Sequence, residues 1–288
     1  MFKNRELSSA EKLFVIVLCI CLGFLCNAFI IGTLYQYMQG EIAYKILLVL
    51  SSVLTFGLPA VAAAALIGNE KNPFAHIKLT NGVKIGKILI AIVFMLSIIP
   101  AIEFVASLNA SYSFPESMKS IEEYFRSIDA SAMEATQRAL AGSGVGMFVL
   151  NLVALAITPA ICEEMFFRGI LQNYLVGATK NKHVAILLTA LIFSAIHMQF
   201  SGLLPRFILG AVLGYMFYSS GSLWLSIVAH ATNNALVVCA AFLGYASATE
   251  IPNVSSFWDP WWIVAILIGL AISVVVGRKI FGRSQYDR

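Results

Sequence analysis

The sequence predicts an all-α polytopic membrane protein, a bundle of about eight transmembrane helices with both termini in the cytoplasm. Three observations carry that expectation. Of 288 residues, 59% are hydrophobic and only 12% charged, whereas soluble domains carry about 25% charged residues. Apolar runs of about 20 residues, the length that spans a hydrocarbon layer, recur along the chain. Basic residues collect in alternate connections, as the positive-inside rule requires. The net charge of +4 follows from that bias; no basic stripe or aromatic RNA-binding pattern accompanies it, so nucleic acid is not an expected partner.

The first run, Leu13–Leu34, is far longer than the roughly 7–15 apolar residues of a secretory signal. Met1–Lys12 also carries Glu6 and Glu11, so the run reads as a retained span. Ile42–Ile67, Val83–Leu108, Val145–Tyr174, His183–Gln199, Leu203–Tyr218, Leu223–Tyr245 and Trp261–Val276 complete the set. His183–Gln199 and Leu203–Tyr218 are short enough to be tilted or partly re-entrant. Lys3, Arg5 and Lys12, then Lys71, Lys78, Lys84 and Lys87, then Lys180 and Lys182, and finally Arg278, Lys279, Arg283 and Arg288 all fall on one side of this arrangement. The other side holds Lys45, Lys119, Arg126, Arg138 and Arg206 with most of the exposed acids. Trp258, Trp261 and Trp262 stand where the last span enters, as aromatic-belt residues do.

Between the third and fourth spans, Asn109–Gly144 places Met118, Ile121, Phe125, Ile128 and Ala132 at helical spacing, with Glu122, Glu123, Arg126 and Asp129 turned elsewhere. That pattern predicts an amphipathic helix lying on the outer leaflet, in preference to a lid over the site. The five cysteines show no C-x-x-C pair and read as small apolar fillers; Cys162, beside Glu163, is a candidate nucleophile without a local activating motif. The chain divides into a three-span N-terminal region with the amphipathic helix (1–144), a helical core (145–245), and a last span with a basic tail (246–288).

The chemistry concentrates at Glu163, Glu164 and Arg168, ionisable residues set within a spanning run. Such residues cost several kcal/mol, roughly 2.5–3.5 on insertion scales, and mark function or a wet cavity. Glu164 and Arg168, four apart on one helix, can pair and share the cost of burial. Glu163 lies about 100° around the helix from Glu164 and needs another partner. Pro159 removes a backbone hydrogen bond and is expected to bend the helix and free the carbonyl of Leu155. Phe193 and His197 share one helix face, as do His230 and Asn234. A base, a second proton-handling group and two donors are what hydrolysis of an amide by water requires.

Glu-Glu-x-x-x-Arg at 163–168, Phe-x-x-x-His at 193–197 and His-x-x-x-Asn at 230–234 resemble the three signature motifs of the CAAX-processing and bacteriocin-processing (CPBP, or Abi) intramembrane proteases. The best-known branch of that family is the eukaryotic prenyl-protein CAAX endopeptidase. The resemblance covers roughly Val145 to Ala240. It implies that Glu163 and His197 activate a water, that His230 and Asn234 stabilise the oxyanion, and that Glu164 and Arg168 hold the first helix, with Phe193 at the site wall. It also implies an all-α core whose cavity substrate reaches from the membrane or its cytoplasmic face. The implied substrate is a membrane-embedded or lipidated protein or peptide, with a CAAX-type C-terminus or a leader or pheromone peptide. No cofactor is favoured; zinc held by Glu163, His197 and His230 is the alternative, against which the helical H-E-x-x-H spacing is absent. A transporter or a non-proteolytic scaffold or immunity protein is the third reading.

Overall fold

The computed structural model describes residues 7–68, 72–245 and 253–281. Lys3, Arg5, Lys71, Arg283 and Arg288, which enter the expected charge asymmetry, lie outside the described residues. Among those described there is no strand. Long helices run over Ser9–Tyr37 (α1), Glu41–Ile67 (α2), Ile85–Ala110 (α3), Lys119–Leu140 (α4), Gly144–Thr179 (α5), Lys182–Ala195 (α6), Leu203–Ser220 (α7), Leu223–Phe242 (α8) and Pro260–Phe281 (α9). Seven of these are long and apolar enough to cross a membrane. Large hydrophobics such as Phe14, Leu25, Phe29, Leu267 and Val275 stand exposed on α1 and α9, a surface stable only against lipid. The protein is an integral membrane protein.

The helix expected over His183–Gln199 is shorter than predicted. Asn181 caps it through its side chain, accepting from His183 and Val184 N–H, but it stops at Ala195. Met198 takes a left-handed φ of 57°, which ends the ladder because L-residues do not continue a helix from that region. The 14 residues of α6 reach about 21 Å at 1.5 Å per residue, short of the roughly 30 Å hydrocarbon core. His197 therefore sits in a turn rather than on the helix proper.

Two of the three π distortions adjoin prolines. A π-turn, Val53–Gly57, precedes Pro59 in α2, and another, Leu152–Ile157, precedes Pro159 in α5. Proline has no N–H and its ring crowds the carbonyl four residues back, so widening the preceding turn accommodates it without breaking the helix. The expected bend at Pro159 takes this form, with Leu155 inside the widened turn. A third π stretch, Met165–Gln172, begins directly after the paired glutamates.

Two hydrophobic clusters pack the bundle. One joins Ile16 of α1 and Ala60, Ala63 and Ala64 of α2 to Phe166, Phe167 and Ile170 of α5, with Phe193, Phe217 and Ile227. The other joins Phe94, Met95 and Ile98 of α3 to Leu213 and Met216 of α7, Leu225 and Ala229 of α8, and Ile280 of α9. At one end of the bundle, Asn81 Nδ2 donates to Gly221 O (2.8 Å), Trp224 Nε1 to Leu79 O (2.8 Å) and Leu223 N to Lys78 O (3.2 Å). At the opposite end, Asn109 Nδ2 donates to Phe200 O (2.6 Å), Asn151 Nδ2 to Leu140 O (3.0 Å) and the buried Lys45 to Ala141 O (2.8 Å). The expected eighth span is the short helix α6, so among the described residues seven helices and not eight are long enough to cross. Helix α4 packs onto the protein, with Phe125 against Phe114 and Phe200 (centroids 6.3 and 5.7 Å) and Asp129 Oδ2 accepting from Ser201 N at 3.1 Å.

Helix α1 crosses α2 at Gly23, where a Cβ would lie 2.5 Å from Pro59 Cγ and 2.9 Å from the carbonyls of Leu54 and Thr55. Gly23→Val should therefore destabilise by about 1–3 kcal/mol through overpacking, read as a lowered melting temperature in detergent. Gly32, whose added Cβ would meet nothing within 4 Å, should tolerate the same change.

Candidate active site

The most deeply buried charges in the bundle belong to Glu164 and Arg168, both fully inaccessible. Arg168 Nη1 donates to Glu164 Oε1 at 2.7 Å, and Nη2 donates to the carbonyl of Gly210 in α7 at 3.0 Å. One turn on, Gln172 Nε2 donates to Gly214 O, also at 3.0 Å. The i, i+4 pair on α5 thus meets an i, i+4 pair of glycine carbonyls on α7; Gly214 allows the approach to α5 and Gly210 the approach to α6. A Cβ at 214 would stand 2.7 Å from Gln172 Oε1, and one at 210 would stand 3.1 Å from Ala190 Cα.

The same Glu164 Oε1 also meets His230 Nδ1 at 3.0 Å. An ionised carboxylate only accepts, so Nδ1 carries the hydrogen and donates. The other ring nitrogen, Nε2, faces Glu163 Oε2 at 3.9 Å. The two neighbouring glutamates therefore flank one imidazole, Glu164 bonded to it and Glu163 beyond hydrogen-bond distance. Glu163 keeps some exposure, 14% of its side chain against 0% for Glu164, and makes no ion pair with Arg168. Of the two glutamates it is Glu164 that pairs with Arg168, the partner the i, i+4 spacing gave it.

His197 Nδ1 lies 2.8 Å from the carbonyl of Phe193. A carbonyl can only accept, so this nitrogen also carries its hydrogen and leaves Nε2 with an open lone pair. Phe193 is more than a wall. Its ring packs edge-on against Phe167, His197 and His230 (centroids 5.1, 5.2 and 5.8 Å), and the Arg168 guanidinium sits 4.8 Å from its centroid. It fixes both histidines relative to the buried pair. Asn234 stands one turn beyond His230 on α8, and its side-chain contact is with Asn233, whose Nδ2 donates to Asn234 Oδ1 at 3.3 Å. That contact occupies the carboxamide oxygen and leaves its N–H2 to donate elsewhere. Asn234 is not in hydrogen-bond contact with Glu163 or the histidines.

Several groups at the site were not singled out from the sequence. Arg206, in the first turn of α7, donates through Nη2 to Gln199 Oε1, and its charge acts on both Asp129 and Glu163. Gly202 makes room for it: a Cβ there would lie 2.5 Å from the Arg206 Cζ. The available signal was the rule that exposed Glu163, an ionisable residue inside an apolar run. Gln172 and Asn233 lay in the text flanking the motifs but carried no charge to draw notice. Cys162 is buried with its Sγ against Gly57, 3.1 Å from where a Cβ would be; this is a packing position.

For a metal, the histidines have partners of the kind zinc sites use, a carboxylate on His230 and a backbone carbonyl on His197. Among the described residues, however, no three of the His, Cys, Asp and Glu side chains converge as a metal set. Glu163, His197 and His230 do not fit one as they stand.

Residues 145–236 match the profile of the type II CAAX prenyl endopeptidase Rce1-like family. A Bacillus subtilis (strain 168) protein, the uncharacterized protein YpbD, is 29% identical over 93 residues, which is 31% of this chain and 44% of that protein. The chain thus spans less than half of that relative's length. No solved structure matches. The matched segment contains the three motifs whose resemblance the sequence carried.

Because Glu164 serves Arg168 and His230 together, Glu164→Ala strands a guanidinium and an imidazole at once. Breaking a buried pair costs about 3–5 kcal/mol, so the variant should show a lower melting temperature and yield, while Glu163→Gln should melt close to the parent. Equal melting of Glu164→Ala and the parent would contradict this assignment.

Proposed function

We propose that the chain is an intramembrane endopeptidase that hydrolyses a peptide bond of a membrane-associated protein or peptide with a water activated by Glu163 and His197. The observation that carries this reading is the pair of uncommitted acceptors. The Glu163 carboxylate is excluded from the Arg168 pair, and His197 presents a bare Nε2 because its Nδ1 hydrogen is given to Phe193. A water between two acceptors donates a hydrogen to each and turns its own lone pair toward substrate. The Rce1-like match supports a CAAX-type activity; a leader or pheromone peptide is the other substrate class in keeping with it.

In the proposed reaction the water gives a proton to the Glu163–His197 pair and its oxygen bonds to the scissile carbonyl carbon. The carbonyl π electrons move to oxygen, and Asn234 Nδ2–H stabilises that oxyanion. His230 contributes a second donor only when Nε2 is also protonated, since its Nδ1 hydrogen is committed to Glu164. The held proton then passes to the leaving amide nitrogen as the C–N bond breaks, releasing an amine and a carboxylic acid. Glu164 and Arg168 take no part in these transfers; they position His230.

The metal-dependent alternative routes the same residues through zinc, and chelation separates the two. Purified protein dialysed against a strong chelator should keep its activity; loss restored by zinc alone would establish the metalloprotease. A non-proteolytic scaffold or transporter is separated by substitution. Glu163→Gln should retain expression and lose ~10²–10⁴ in cleavage rate, the usual contribution of a general base. Asn234→Ala should lose about 10²–10³, the usual cost of one oxyanion donor. Cleavage is read by mass spectrometry of precursors that accumulate when the gene is deleted and disappear when the parent, but not Glu163→Gln, is restored.

A further inference from the structure

We infer that α4 is a working part of the candidate site: Asp129 on α4, together with Asn109 at the end of α3, holds the turn at 196–202 and through it fixes the imidazole of His197. Both are positioning residues, acting through the turn and not on substrate. Their importance for turnover rests on the role given to His197 above; their hold on the ring does not.

His197 has no regular helix to orient it. The last α-helical residue of α6 is Ala195, and past it the backbone continues only through turn bonds, His197 N to Ser194 O at 3.3 Å and Met198 N to Ala195 O at 3.0 Å. Met198 then redirects the chain with a φ of 57°, a conformation unfavourable for a residue that carries a side chain. Such a residue persists only where its surroundings over-determine it.

The over-determination comes from neighbouring elements, one residue of the turn at a time. Gln199 Oε1 accepts from Arg206 Nη2 of α7. Phe200 O accepts from Asn109 Nδ2 at 2.6 Å, while Asn109 Oδ1 accepts from Leu204 N at 3.2 Å, so a single carboxamide of α3 clamps both sides of the bend. Ser201 N donates to Asp129 Oδ2 of α4 at 3.1 Å. The Phe200 ring lies against Phe114 and Phe125, with centroids 4.8 and 5.7 Å away. Gln199, Phe200 and Ser201 are thus gripped by α7, α3 and α4 in turn.

The grip of α4 is local. A cavity of about 500 Å³ separates much of α4 from the turn, lined by Phe125, Asp129 and Ala130 on one side and by Phe200 and Ser201 on the other. On that side the turn is held by discrete bonds and ring contacts, not by close packing. Asp129 acts twice: it accepts from Ser201 N, and its charge acts on Arg206, the residue that holds Gln199. The Arg206 charge reaches Glu163 and His197 in its turn. Loss of the Asp129 carboxylate therefore releases Ser201 N and removes a counter-charge from Arg206 together. Asp129→Asn keeps an acceptor for Ser201 N and removes only the charge.

The test reads the imidazole itself. The full chain, with ring-15N histidine, is purified in micelles, and the His197 signals are identified among the four histidines by their loss in His197→Gln. In the parent they should report one tautomer, with hydrogen on Nδ1, as the bond to Phe193 O requires. Asp129→Ala and Asn109→Ala should each move His197 to a mixture containing the Nε2–H tautomer, leave the His230 signals where Glu164 holds them, and differ from Asp129→Asn, which should keep the parent pattern. Should Asp129→Ala not fold, Asp129→Ser, too short to reach Ser201 N, is read in its place. His197 signals unchanged in the alanine variants, or His230 shifting equally, would overturn the proposal. On a precursor found in the deletion strain, the same alanine variants should lose up to about 10²-fold in kcat, the cost of misplacing a reacting group by about 1 Å, with KM little changed. Shifted His197 signals with undiminished kcat would uphold the positioning and overturn only the role given to His197.

Discussion

A single carboxylate oxygen, Glu164 Oε1, accepts from both Arg168 and His230 in a site closed to water, and the arrangement of the helical core depends on it. An ion pair at that depth gives back its desolvation cost only when geometry and further hydrogen bonds are good. The further bonds are present: Arg168 reaches the backbone of α7 through Gly210, and the aromatic face of Phe193 covers the guanidinium. The pair therefore cross-links α5, α6, α7 and α8 at one level. Each partner is fixed by a different helix, so movement of any one of the four helices strains the whole set.

The separation of chemistry from scaffolding follows. Two adjacent glutamates on an α-helix diverge by about 100°, so when one is consumed by the buried pair the other is turned toward the more open side. His230 lies between them and takes its ring orientation from Glu164 while presenting Nε2 toward Glu163. His197 reaches the same space from a turn, not a helix, because α6 ends at Ala195. The aromatic ring of Phe193 spans the gap between the buried pair and both histidines. Glycines contribute by absence of a side chain: a Cβ at 202 would run into the Arg206 guanidinium, one at 214 into Gln172 Oε1, and one at 210 into Ala190 and Phe193 of α6.

Much of this was legible in the sequence because burial of charge is expensive enough to leave a signature. Glu163, Glu164, Arg168, His197 and His230 stand out in apolar text for that reason, and the i, i+4 rule assigned Glu164 to Arg168 correctly. The double duty of Glu164 was not legible, since it joins residues 66 positions apart and no periodicity encodes that. The early end of α6 depends on one left-handed residue, Met198, whose side chain gives no warning of it. The amphipathic pattern of α4 was clear, but its docking on the 196–202 turn through Phe125 and Asp129 was not. Amphipathic spacing states that a face is apolar and leaves open whether lipid or protein covers it.

The central claim is that the Glu164–Arg168 pair is a structural unit, and a double-mutant cycle tests it most directly. Unfolding free energies in mixed micelles would be compared for Glu164→Gln, Arg168→Met and the combined variant. The account predicts that the combined loss is smaller than the sum of the single losses by about 0.5–3 kcal/mol, the range for groups in direct contact, because removing both charges leaves neither stranded. Strictly additive losses would mean that the two charges do not stabilise one another, and would contradict the account.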